Sequence, residues 1–141
     1  MADISNLPEY QKYEIGRGTS DNPQLTLFTG PALTVPCPTT GIVLTFLVTR
    51  TLMNDAADVD PVTDPNVLMY KVTGMGITVV DESNGVAEVN ITELDTYDPN
   101  DSTVAAKYET DQPYPFLALA NNGSGQNRVL ARGLFYVRDV G

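Results

Sequence analysis

The sequence predicts an all-β protein built from seven to eight short antiparallel strands. Short runs in which apolar and polar residues alternate recur along the chain, as strands with one buried face require. The 11 Gly and 10 Pro residues fall mostly between these runs and predict turns. No long window places apolar residues at helical spacing, so a helical or mixed fold is not expected.

The chain is predicted to divide into an arm and one domain. Residues 1–23 lack a strong strand or helix pattern and are expected to form an extended N-terminal arm. Residues 24–141 are expected to form the β domain, a size that suits a single core. We therefore expect the domain to fold without residues 1–20.

Two short strands are predicted to open the domain. The first, at 24–28, places Leu25 and Leu27 on one face. The second, at 32–35, ends at a Pro-Cys-Pro sequence, because proline cannot donate to a strand ladder. The single cysteine of the chain, Cys37, is expected to fill the core as a small apolar side chain.

The strand at 41–50 has the strongest pattern of the sequence. One face carries apolar side chains throughout, and the other alternates apolar residues with threonine. Such a strand is expected at the centre of a sheet, with both faces covered. The next strand is predicted at 67–73.

The clearest hairpin joins strands at 76–80 and 86–91. The pair Asn84-Gly85 between them is suited to the positive φ values of a tight hairpin turn. In the second strand of the hairpin, Ala87, Val89 and Ile91 are expected to face the core.

The C-terminal third is predicted to contain one helical turn at 104–108 and two strands. These strands, at 114–120 and 128–140, flank a flexible loop rich in Asn and Gly, and Gly133 marks a bulge or bend. The strand at 114–120 is expected to be a free edge that a partner's strand could join.

This spacing of strands and turns is typical of an immunoglobulin-like antiparallel β-sandwich with an extended N-terminal arm, and less typical of a small barrel. The Cys-Trp-Cys pattern of antibody domains is absent, since the chain has one Cys and no Trp.

Composition argues against an enzyme. The chain has no His, which excludes a Ser-His-Asp triad, a histidine base and a His-bearing zinc site. We expect no catalytic residues, no metal and no cofactor. The net charge of −10 disfavours nucleic acid and anionic membranes as partners. The N-terminus does not resemble a signal peptide.

Two acidic loops leave a weaker hypothesis open. The loop at 54–66 carries four aspartates whose spacing does not match a calcium loop, so solvated turns are favoured over a metal site. The weak calcium candidates are Asp55, Asp58, Asp60 and Asp64. A second acidic run contains Asp95, Asp98 and Asp101.

Tyrosine is the main signal for protein binding, because it offers a large contact area at low entropic cost. Packing of these rings at the edge of the core is an equally good interpretation. The candidate partner-binding residues are Tyr10, Tyr13, Ile15, Tyr97, Tyr108 and Tyr114.

One order of segments carries a resemblance to a known family. Thr29-Gly30-Pro31-Ala32-Leu33-Thr34 follows an early strand, and the hairpin from Gly76 to Ile91 leads to Leu94-Asp95-Thr96. A Tyr-bearing strand comes next, and Val129-Leu130-Ala131-Arg132-Gly133-Leu134-Phe135-Tyr136-Val137 closes the pattern. This order resembles the N-terminal immunoglobulin-like domain of phage baseplate upper proteins, from residue 24 to 140. The chain lacks the receptor-binding domain that follows in those proteins.

The resemblance implies a non-catalytic structural protein of a tailed-phage virion, made in the cytoplasm of the host bacterium. Because the receptor-binding domain is missing, a capsid decoration or cement protein is favoured over a tail or baseplate attachment module. The expected partners are other virion proteins, either the major capsid protein or tail and baseplate proteins, and further copies of the chain in a homo-oligomer. A module that recognises the host surface or a carbohydrate is the remaining alternative.

Overall fold

The computed structural model describes residues 9–29, 35–51, 64–123 and 127–139. Short strands dominate these residues, which confirms the predicted all-β class. The elements are β1 (Glu9–Gly16), β2 (Gln24–Thr26), β3 (Phe28–Thr29), β4 (Val35–Pro36), β5 (Val43–Thr49), β6 (Val67–Thr73), β7 (Gly76–Asp81), β8 (Val86–Val89), α1 (Glu93–Thr96), α2 (Ser102–Ala106), β9 (Tyr114–Asn121) and β10 (Asn127–Arg138).

Eight of these strands form one curled sheet in the order β1-β10-β9-β5-β6-β7-β8-β2, and β3 pairs with β4 in a separate ladder. The strands from β5 to β10 all overlap the predicted ranges. Of the strand predicted at 32–35, only Val35 lies in the described residues. The predicted helical turn corresponds to α2, whereas α1 was not predicted.

The sheet is mixed, which corrects the prediction of a purely antiparallel arrangement. β1 runs parallel to β10, and β6 runs parallel to β7 over two positions, Val72 with Gly76 and Thr73 with Ile77. The β6–β7 connection consists of Gly74 and Met75 alone, too short for a regular parallel crossover. The two strands therefore pair only where one ends and the other begins.

Residues 9–16 belong to the sheet, which corrects the predicted arm at these positions. Their side chains alternate, with Tyr13 and Ile15 toward the core and Lys12 and Glu14 toward solvent. Ile15 is only 5% exposed, and the ring of Tyr13 stacks on Phe135 at 5.5 Å between centroids. Deletion of residues 1–20 would remove an edge strand and a core side chain, so the expectation that the domain folds without them is revised.

The core is built around alternate side chains of β5 and β9. β8 contributes Ala87 and Val89, and Ile91 just beyond it also lies in the core, as predicted. The core also contains Cys37, fully buried as expected. Leu47, Leu117 and Leu119 are buried too, but on the opposite face of β5 and β9, where Leu47 lies opposite Leu117 and Leu119 lies opposite Thr45. Both faces of β5 are thus covered, as a central strand requires.

β9 is not an edge strand, which corrects a second expectation. It lies between β10 and β5 and pairs with both along most of its length. Its backbone groups are therefore used within the sheet and offer no template to a partner. In the described part of the chain, the edges of the large sheet are β1 and the three-residue strand β2.

Candidate protein-binding surface

One end of the sheet carries a shallow groove of about 340 Å³ between the segment before β2 and the segment after β8. Amide, hydroxyl and carboxylate groups line it together with two apolar side chains. The lining residues are Ser20, Asn22, Asn90, Ile91, Thr92, Glu93 and Leu94.

Backbone pairing fixes the two walls of the groove. Asp21 and Ile91 exchange two backbone hydrogen bonds of 3.0 Å, which tie the walls together. The Thr92 N–H then donates to the Asp95 carboxylate at 2.7 Å and begins α1. Asp95 also forms an ion pair of 2.8 Å with Lys71, and both side chains are mostly buried. This pair anchors α1 against β6 and holds its exposed side outward.

Three apolar side chains are exposed on segments that adjoin this groove, and we call them the apolar end: Met75, Leu94 and Tyr97. They are 61%, 56% and 47% exposed. Met75 precedes Gly76, whose carbonyl accepts from the Asn90 N–H in the groove wall. Tyr97 ends α1 beside Gly18. Exposed apolar side chains next to a polar groove are typical of a surface that binds another protein.

The surroundings of the apolar end are acidic. Glu93 is exposed in the first turn of α1, and Asp98 and Asp101 follow on the connection to α2. Asp101 caps α2 by accepting from the backbone and hydroxyl of Thr103, and these hydrogen bonds lower its pKa. The arrangement can accept hydrogen bonds and favours neutral or basic groups on a partner.

Three of the six predicted partner-binding residues come together elsewhere, around Phe135 on β10. Tyr13 stacks on Phe135, Tyr108 lies 6.1 Å from it, and Tyr114 meets Tyr108 edge to face at 5.6 Å. Tyr108 is 1% exposed, and Ile15 is buried in the same core. Ile15 and Tyr108 therefore stabilise the domain from inside and are removed from the set of surface candidates.

The hydroxyl groups of this aromatic cluster differ in their surroundings. Tyr13 donates to the Asp21 carboxylate, and burial with this bond raises the pKa of Tyr13. Burial likewise raises the pKa of Tyr108, whose hydroxyl has no hydrogen-bond partner among the described residues. The Tyr108 carbonyl accepts from Arg17 at 2.6 Å, which ties the end of β1 to the cluster.

Tyr97 is the one predicted tyrosine that lies in the apolar end. Tyr10 lies in β1 opposite Arg132, and its side chain is outside the described residues. Sequence analysis missed Met75 and Leu94. Their apolar side chains in short polar connections are a signal that could have indicated them.

The acidic candidates for calcium are only partly described. Asp55, Asp58 and Asp60 lie outside the described residues, and Asp64 accepts from the Asn66 N–H at 2.8 Å. In the second acidic run, Asp98 accepts from the Asn100 N–H, so it is used to shape a turn. Over residues 9–29, 35–51, 64–123 and 127–139, no three Asp, Glu, Cys or His side chains form a group that suits a metal ion.

A second set of charges, also missed, lies on the outer face of β1 and β10. Glu14 accepts from Arg138 at 2.5 Å and pairs with Lys12 at 2.9 Å. Arg138 bonds Asp111 at 2.9 Å and lies over the Tyr136 ring. The hydrogen bond from Arg138, followed by that from Lys12, lowers the pKa of Glu14 to about 2. The alternation of polar and apolar residues at 12–15 is the signal that could have indicated β1.

No family model matches the chain, and no curated protein matches it significantly. The described helices are all too short to cross a membrane.

Proposed function

We propose that the protein is a non-catalytic structural protein of a tailed-phage virion, a capsid decoration or cement protein that docks on the particle surface. The resemblance of its segment order to phage immunoglobulin-like domains supports the virion role. The apolar end is the observation that carries the docking role, because three apolar side chains are exposed on segments that adjoin one groove.

We further propose that the curled sheet is an immunoglobulin-like sandwich. The strands β1, β10, β9, β5 and β6 would form one layer, and β7, β8 and β2 the other. This partition follows the strand order of a variable-type immunoglobulin-like domain. The weak link between the layers, two paired positions of β6 and β7, supports a division at that point.

Tyr114 adds support for this fold. It begins β9, and its hydroxyl accepts from the Glu109 N–H, five residues upstream, at 2.6 Å. Immunoglobulin-like domains use a tyrosine at the start of the equivalent strand in the same way. The bond holds the connection from α2 against the sheet.

The test is binding of the purified protein to phage particles that lack it. Leu94→Ser with Tyr97→Ser should abolish binding, because both substitutions remove apolar contact area from the apolar end. Val80→Ser is the matched control, since Val80 is also exposed, at 52%, but lies on β7. Equal binding by the double variant and the control would contradict docking through the apolar end.

Two alternatives stay open and make different predictions. A tail or baseplate attachment module would bind isolated tails and not capsids. A module that recognises the host surface or a carbohydrate would bind through the groove, where Asn22 and Asn90 offer amide groups and Glu93 a carboxylate. In that case the protein would not bind phage particles, and free glycans would compete with cells for binding to the protein. Stability that falls with a calcium chelator would favour recognition through the loop at 54–66.

A further inference from the structure

β1 is the long edge of the large sheet. It has eight residues, whereas β2 at the opposite edge has three. β10 pairs with one side of β1, and no strand among the described residues pairs with the other. A long edge strand is a template for a further strand.

The hydrogen bonds at the end of β1 show which backbone groups face outward. Arg17 donates its N–H to the Arg138 carbonyl at 2.8 Å, so the odd-numbered residues of β1 point their backbone groups toward β10. The Gly16 carbonyl faces away from β10 and accepts from the Thr19 N–H instead. By the same alternation, the N–H and C=O groups of Lys12 and Glu14 face away from the sheet.

These two residues carry opposite charges, which restricts how a second copy of β1 can join. In a two-fold antiparallel pair, outward-facing residues must lie opposite one another. A register centred on position 12 places Lys12 against Lys12, and one centred on position 14 places Glu14 against Glu14. The register centred on Tyr13 places Lys12 of each copy opposite Glu14 of the other. Opposite charges across strands stabilise a pair, and like charges destabilise it.

The outer face around this edge also lacks the acidic excess of the molecule. The chain as a whole carries a net charge of −10, which makes two copies repel. On β1 and β10, the described outward charges are Lys12, Arg132 and Arg138 against Glu14. This edge is therefore a place where two copies can approach without strong repulsion.

We propose that two copies of the chain pair antiparallel through β1, with Tyr13 at the two-fold axis and Lys12 of each copy opposite Glu14 of the other. The large sheet would then continue from one copy into the next. This inference rests on the homo-oligomer expected of the proposed structural role, and it names the surface and register.

The test is the mass of the purified full chain by native mass spectrometry and light scattering over a range of concentrations. The expected result is a dimer. Lys12→Pro should weaken it at least ~10-fold, because proline removes an outward N–H without breaking a bond to β10. At concentrations where both proteins are monomeric, its thermal unfolding should stay close to that of the unsubstituted chain. A dimer unaffected by Lys12→Pro would overturn the proposal.

Charge variants test the register itself. Lys12→Glu and Glu14→Lys should each weaken the dimer, and the double exchange K12E with E14K should recover most of the affinity. If the double variant is as weak as the worse single variant, the register is wrong. Lys12→Glu keeps this test available even if Lys12→Pro does not fold.

Failure of the β1 pairing can be distinguished from failure of the proposed virion role. A monomer at every concentration that still binds particles would overturn the pairing and leave the virion role. A β1-paired dimer that binds no particle, capsid or tail would support the pairing and contradict that role.

Discussion

The backbone of Gln11 occupies the space where a side chain at Gly133 would lie. A Cβ atom at Gly133 would sit 1.7 Å from the Gln11 carbonyl oxygen. Only a residue without Cβ lets β1 approach β10 at this point. A bulge or bend was predicted at Gly133, but the register shift in β10 lies between Val129 and Ala131. The glycine instead allows close contact between two strands far apart in sequence.

Gly133→Ala should displace β1 and destabilise the domain by about 2–4 kcal/mol, because overpacking against backbone cannot be relieved by a rotamer change. Urea unfolding measures the change. Gly74→Ala in the full chain is the matched control, since an added Cβ there would meet no atom within 4 Å, and it should cost clearly less stability. Equal losses in the two variants would show that contact with Gln11 is not the cause.

Gly85→Ala should be more damaging than Gly74→Ala, although both glycines have positive φ, 68° and 85°. An added Cβ at Gly85 would lie 2.2 Å from the Cys37 carbonyl oxygen, whereas Gly74 has no atom within 4 Å. We expect Gly74→Ala to lower the free energy of unfolding by about 1–2 kcal/mol, from backbone conformation alone. Gly85→Ala should lower it by ~3 kcal/mol or more, because the added Cβ also clashes. Thermal unfolding of the two variants gives the comparison, and equal losses would exclude the steric explanation.

Tyr114→Phe should cost about 1 kcal/mol, since it removes the acceptor of the Glu109 N–H and keeps the ring. Tyr97→Phe is the matched control on an exposed side chain and should be neutral. Hydrogen exchange at the Glu109 amide should also speed up in Tyr114→Phe. An unchanged exchange rate would mean that this bond does not hold the connection.

The lowered pKa of Glu14 should make the stability of the domain depend on pH, with a defined sign. Its pKa is lowered from the ordinary value of 4.5 to about 2 by the hydrogen bonds from Arg138 and Lys12. The stabilisation is therefore present above pH 4.5 and is lost as the pH falls toward about 2. The difference in melting temperature between the unsubstituted chain and Glu14→Gln should be constant from pH 7 to 5 and shrink below pH 4. If the melting temperatures of the two proteins differ by the same amount down to pH 2, the lowered pKa is not that of Glu14.

Local sequence pattern was sufficient to predict a strand where the strand has its own alternation of apolar and polar residues or its own turn. The hairpin around Asn84-Gly85 and the central position of the strand at 41–50 followed from side chains within a few residues of one another. The parallel pair of β1 with β10 could not be predicted in this way, because it depends on Gly133 and Gln11 together. Tyr108 was left with two interpretations, partner binding and core packing, for a related reason: composition does not say whether a ring lies inside the domain or on its surface.

The pairing of β1 with β10 has a consequence for synthesis of the protein. Glu9 lies opposite Ala131, so this pair cannot form until nearly the whole described chain has left the ribosome. Until then Ile15 and Tyr13 have no β10 to pack on, and the nascent chain exposes apolar groups that the finished molecule buries. Because contacts between distant residues form slowly, completion of this edge is expected to be a late event in folding.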